Sequence, residues 1–130
     1  MNGSVKEWVE KAEGDFVTAM RESRARKAPN HDAVCFHAQQ CIEKYLKGVL
    51  ESEAVAFTKT HDLVVLLQLC GDKHPLWLTR EEDAKLLSQF AVQFRYPGES
   101  ATRDEAKAAV AVMKRMRSEI RPVLGLRNDC

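Results

Sequence analysis

A chain of 130 residues, 45% hydrophobic and 30% charged, has the size and balance of one soluble globular domain that can bury a core without metal or disulfide staples. Six glycines and four prolines argue against a many-turned β fold. Twenty basic residues against nineteen acidic ones leave +1, which removes the bulk-charge argument for a dedicated nucleic-acid binder while leaving room for a local patch.

The opening residues Met1 to Glu7 hold no apolar run, so no signal peptide is expected, and no window approaches the ~18 apolar residues of a membrane span. The expected setting is the cytoplasm. Ser4 and Glu7 have the spacing of a capping box, in which a hydroxyl accepts from the third amide and the Glu reaches back to the cap amide. The first helix follows it. Val5, Trp8, Val9, Ala12, Phe16, Ala19 and Met20 recur at helical period, and the helix is expected to run to about Lys27. Gly14 weakens it by about 1 kcal/mol relative to Ala, or permits close helix packing. Ala28-Pro29-Asn30 breaks the chain, since proline disfavours α geometry in the residue before it.

The second helix is predicted from about His31 to Glu51. Val34, Ala38, Cys41, Ile42, Tyr45 and Val49 make an apolar stripe. Beside it His37, Gln40, Lys44 and Lys47 recur at i, i+3, i+7, i+10, one line along the helix. A helix that only filled a core has no use for such a line. It is either a solvated edge or a surface for a partner or an anionic ligand. Glu43 and Lys47 are also spaced as an exposed i,i+4 ion pair.

A connector over 52–59 leads to Thr60, the expected cap of a short helix carrying Leu63, Leu66, Leu67 and Cys70. Asp62 in its first turn complements the helix dipole, and His61 reads as a local structural residue. Gly71 and Pro75 stop that helix. Trp77 follows in a connector, as a packed cap or an exposed contact. Thr79 and Glu82 repeat the capping-box spacing before a fourth helix with Leu87, Phe90, Ala91 and Phe94 inward, ended by Tyr96-Pro97-Gly98. Thr102 and Glu105 repeat it again before a last helix with Ala106, Ala109, Val110, Met113, Met116 and Ile120 inward, which runs to Pro122. The methionine and aromatic positions, Met20 and Phe16 among them, read as core.

The expected fold is all-α: four long helices and one short one, joined closely enough to form an up-and-down four-helix bundle. One domain over 1–125 and a frayed tail over 126–130 are expected. Cys35, Cys41, Cys70 and Cys130 read as reduced thiols. The spacing of Cys35, His37 and Cys41 is not that of a zinc site, so neither metal nor cofactor is expected.

Phe36-His37-Ala38-Gln39-Gln40 with Glu43-Lys44 and Leu46-Lys47, then Thr60-His61-Asp62-Leu63, then Phe94-Arg95-Tyr96-Pro97, occur in this order. In these segments, over Trp8 to Pro122, the chain resembles the HEPN domain family (higher eukaryotes and prokaryotes nucleotide-binding). The resemblance implies a helical bundle that pairs as a homodimer. It also implies a minimal nucleotidyltransferase as partner, in toxin–antitoxin-like modules, and a nucleotide as ligand. Many relatives are metal-independent ribonucleases marked by an Arg and a following His, with four to six residues between them, near the last helix. Here no His follows Arg95 or Arg103 at that spacing. Arg24 and Arg26 match it formally with His31, in the first connection, which is the wrong place. The expected role is therefore accessory and non-catalytic. The alternatives are a ribonuclease that has replaced its His, with RNA as substrate, and a module that only dimerises. The candidate binding residues are His37, Gln40, Lys44, Lys47, Arg95 and Tyr96. Arg95 sits where a helix C-terminus favours a cation, and its fork also suits a phosphate or carboxylate.

Overall fold

The structure, a computed structural model, describes residues 1–93 and 96–128, with only the backbone at 92 and 93. The expected elements form. They are α1 (Gly3–Ser23), α2 (His31–Ser52), α3 (Leu63–Cys70), a 3-10 turn (Pro75–Arg80), α4 (Glu81–Gln93), α5 (Arg103–Ile120) and a second 3-10 turn (Arg121–Leu124). The fold is all-α. Among the described residues there is no strand, and no helix is long and apolar enough to cross a membrane.

α2 is the central rod, touching α1, α3, α4 and α5. Side-chain bonds give the directions. Ser4 reaches Glu51 and the Asn30 amide reaches Glu22, so α1 and α2 are antiparallel. Asp32 holds the Ala101 amide at one end and Arg121 meets Tyr45 further along, so α5 runs with α2. Arg115 bonds Asp83 and Arg80 bonds Glu119, so α4 runs against α5. Helices α1, α2, α4 and α5 make the four-helix bundle, and α3 is the additional short helix. The core centres on α2: Ile42, Tyr45, Leu46, Val49 and Leu50 are sealed from solvent, with Leu63, Leu66, Leu87 and Met113 around them. Burying each such side chain contributes roughly 1.5–3 kcal/mol.

The caps depart from the sequence expectation three times, at α1, α3 and α4. The side chain of Asn2 accepts from the Val5 amide at 2.8 Å and caps α1, while Ser4 is turned to Glu51. Thr79 gives its hydroxyl back to the Leu76 carbonyl inside the 3-10 turn, and α4 begins at Glu81 without it. Thr102 and Glu105 do form the full capping box. At α3 the cap is Asp62, which accepts from the Val64 amide, and Thr60 accepts from the Asp62 amide one step earlier.

α1 stops at Ser23 rather than near Lys27, because the chain turns through Ala28 at φ 46° to reach Asn30, the cap of α2. The close helix approach is not at Gly14, which faces open space. It is at Gly48, where a Cβ would stand 3.4 Å from that of Trp8. Trp77 is a packed cap: it is buried and stacks on His74 with ring centres 4.2 Å apart. The tail is tied down as far as Asn128. Leu124 and Leu126 pack on the core, and Asn128 donates to the Ser118 carbonyl. The expectations for Phe94, Arg95 and Cys130 fall on positions outside the described residues.

Candidate functional site

The α2 stripe is drawn into the protomer as two carboxylate hubs. Asp15 comes from α1, one turn after Ala12 and one before Ala19, on the buried face. Its Oδ1 lies 2.7 Å from His37 Nδ1, and its Oδ2 accepts from Lys44 Nζ at 2.5 Å. Glu43 is the second hub. It accepts from Gln39 Nε2 at 3.1 Å and Lys47 Nζ at 3.0 Å, with His61 Nδ1 at 2.9 Å. Gln39 also donates to the His61 carbonyl and accepts from Gln40. Lys47 lies over the Trp8 ring, 5.7 Å from its centre.

The positive charge expected on this line is therefore neutralised inside one chain. Lys47 and Glu43 are both buried, so the pair drawn from the sequence as a solvated i,i+4 bridge is an interior one. His37 and Lys44 keep part of their surface, with 29% and 21% of the side chain exposed. Tyr96 stands apart in the loop before α5, 71% exposed, and Arg95 lies outside the described residues. The structure thus divides His37, Gln40, Lys44 and Lys47 between two internal networks instead of presenting them as one free edge. Asp15 and Glu43, which make those networks, were not among the predicted residues. Their signal was present: Asp15 interrupts the apolar stripe of the first helix, and Glu43 sits four residues from both Gln39 and Lys47.

A third network ties α1, α2, α5 and the second 3-10 turn together. Arg117 of α5 grips Glu13 of α1 through Nε at 2.8 Å and an Nη at 2.6 Å, a bidentate pair. Tyr45 donates to the same carboxylate at 2.5 Å and accepts from Arg121 at 2.7 Å. Burial opposes ionisation of Glu13, but the bonds from Arg117 and Tyr45 prevail and hold its carboxyl below 4.5. Burial pushes the thiols of Cys35 and Cys70 up to about 12 and raises that of Cys41, so these three are inert packing groups. Among the described residues no group of three or more His, Cys, Asp or Glu is placed to hold a metal ion.

The cations that stay available lie elsewhere, in a groove between α1 and α5 with a volume of about 730 Å³. Phe16, Val17 and Met20 form its apolar wall, and Val17 is 47% exposed. Arg21 from α1, Arg24 just past its end and Lys114 from α5 line it, and none of the three makes a side-chain ion pair among the described residues. Arg117 closes the floor, its guanidinium 4.0 Å from the centre of the Phe16 ring. The groove exists because the last turn of α1 and its C-cap carry Arg21 and Arg24 outward while Met20 turns in. An apolar wall facing fixed positive charge suits a ligand with a flat organic part and an anionic part.

The HEPN domain profile matches residues 5–123. The chain belongs to the HEPN domain family. Two solved structures share the fold. TT1696 from Thermus thermophilus superposes with a TM-score of 0.80 at 20% identity, over 94% of this chain and 99% of that one. ST0689, described as an archaeal HEPN homologue, gives 0.71 at 22% identity, over 96% of this chain and 98% of that one. No curated protein matches the sequence.

Proposed function

We propose that this HEPN protein acts by binding rather than by cleavage, taking a nucleotide in the α1/α5 groove as the accessory member of a toxin–antitoxin-like module in the cytoplasm. The observation that carries the reading is the groove itself: among the described residues Arg21, Arg24 and Lys114 have no counter-charge beside the apolar wall of Phe16, Val17 and Met20. Its volume of about 730 Å³ falls within the range of small-molecule and cofactor sites. Titration of labelled ATP into purified protein tests it. Saturable binding that weakens about tenfold, or 1.4 kcal/mol, in Arg24→Glu supports the reading. A folded protein that binds no nucleotide rejects it.

The homodimer and the nucleotidyltransferase partner enter the same proposal on the strength of the family resemblance. A solution mass measurement and co-purification with a nucleotidyltransferase encoded beside this chain test them. A monomer that retains no such enzyme removes both.

One observation favours a second reading. Arg26 and His31, whose spacing fits the ribonuclease signature only formally, line the same recess at one end of the bundle. A guanidinium and an imidazole brought together can stabilise and protonate a phosphodiester in transfer. Metal-free RNA cleavage lost in His31→Ala would replace binding by catalysis. Intact RNA at high protein concentration removes that reading.

A further inference from the structure

A second cleft opens where α1 begins and α2 ends, with a volume of about 330 Å³. It is lined by Ser4, Glu7, Trp8 and Lys11 of α1, by Glu51 of α2 and by Phe57 of the connector. Trp8 and Arg21 are thirteen residues apart on α1, so at 1.5 Å per residue about 20 Å of helix separates this cleft from the α1/α5 groove.

Two aromatic rings make its walls. Trp8 sits beside Val5 and Val9 of the buried face of α1. Gly48 lets it press on α2, since a Cβ there would stand 3.4 Å from that of Trp8. The second ring is delivered by the end of α2. The chain turns back through Ala54, at φ 57°, and the Val55 amide donates to the Leu50 carbonyl at 2.9 Å. That turn returns Phe57 to the bundle, where its ring meets the Trp8 ring at 63° with centres 6.4 Å apart. Both residues are half-buried, so each keeps surface for a ligand.

The charge in the cleft is negative. Glu51 accepts from Ser4 Oγ through Oε1 and from Trp8 Nε1 through Oε2, each at 2.6 Å. Both donors are neutral, and a carboxylate has about four lone-pair sites, so Glu51 keeps room for further donors. Neither Glu51 nor Glu7 makes an ion pair among the described residues, and α2 carries no basic residue in its last turn. Lys11 is the one cation of the lining, against two carboxylates. Lys47 also approaches the Trp8 ring, at 5.7 Å from its centre, but Glu43 holds and neutralises it at 3.0 Å. Such a lining repels a phosphate. A neutral apolar ligand would cover the rings and leave the carboxylates without a counter-charge.

We infer that this cleft binds a small organic ammonium ion, with its charged head at Glu51 and Glu7 and its alkyl part on Trp8 and Phe57. A protonated amine donates to the free lone pairs of Glu51. A quaternary ammonium has no such donor and is held by charge and by the faces of the rings. The inference goes beyond the nucleotide reading and does not depend on it, because the two sites share no lining residue.

Nuclear magnetic resonance of the full chain tests it, with the Trp8 indole N–H as reporter. The probes are putrescine and choline, with sodium chloride at equal ionic strength as the blank, and circular dichroism checks the fold of each variant. A saturable shift of the indole signal by at least one of the two cations, absent with the salt, is expected. Glu51→Gln, which keeps an acceptor for the indole and loses the charge, weakens binding about tenfold, and Lys11→Gln tightens it about twofold. Should Glu51→Gln fail to fold, Glu7→Gln at an exposed position serves instead, with a loss of about threefold. Putrescine tighter than choline shows that hydrogen bonds to Glu51 hold the head. Choline as tight or tighter shows that charge and the rings suffice. Both results support the site. No saturable shift from either cation, or a shift that the carboxylate variants leave unchanged, overturns it, whatever ATP does in the groove.

Discussion

The α2 seam and the α1/α5 seam carry the same kinds of residue and use them in opposite ways. Along α2, Lys44 and Lys47 meet Asp15 and Glu43 inside the protomer, and His37 and Gln40 complete the same networks. Along α1 and α5, Arg21, Arg24, Arg103, Lys107 and Lys114 face outward with no carboxylate bound to them among the described residues. A basic stripe in a sequence says little until the acids on neighbouring helices are placed. Where they close on it, the stripe holds helices together. Where they are bonded elsewhere, it stays open to an anion.

Substitutions in each seam and a titration would break or sharpen that contrast. The largest effect is expected at Glu43. Glu43→Ala strands Lys47 in the interior without its partner, and a buried charge left unpaired costs about 3–5 kcal/mol; urea unfolding measures it, and a loss below about 1 kcal/mol would contradict the interior reading. Asp15→Ala comes next. It removes the shared acceptor of His37 and Lys44, which keep some water, so a loss of about 1.5–3 kcal/mol is expected by the same method.

The groove predicts the reverse pattern. Lys114→Glu should leave stability within about 0.5 kcal/mol, because nothing described in the fold pairs with that ammonium. A large destabilisation there would reveal a structural role and erase the distinction between the two seams.

Acid should find the Glu13 network. Its carboxyl is held below 4.5 in the folded chain. A depressed folded value contributes stability that is fully present above the unfolded value and is lost as pH falls through the folded one. Stability measured from about pH 5 downward should therefore fall less steeply in Glu13→Gln than in the wild type. Equal slopes would mean that Arg117 and Tyr45 do not hold that carboxylate.

Local chemistry was legible in the sequence and tertiary pairing was not. The apolar stripes placed every helix, and Thr102 with Glu105 formed the box their spacing promised. The same spacing misled at Ser4 and Thr79, because a hydroxyl near a helix start has other acceptors within reach: the Glu51 carboxylate for one, the Leu76 carbonyl for the other. Lys47 and Glu43 were readable as a pair from their i,i+4 spacing, yet their burial depends on Trp8 crossing α2 at Gly48. Arg117 and Glu13 are 104 residues apart, and Lys44 and Asp15 are 29 apart. No periodicity within one helix points across such separations. The groove is a property of two helix faces and the gap between them, so neither face announces it alone.

The most direct measurement is nucleotide affinity in two single variants of opposite seams. Lys114→Glu is expected to weaken ATP about tenfold, while Lys44→Gln, whose ammonium already serves Asp15, stays within about twofold of wild type. Loss of binding in Lys44→Gln with Lys114→Glu unaffected would contradict the account and return the ligand to α2.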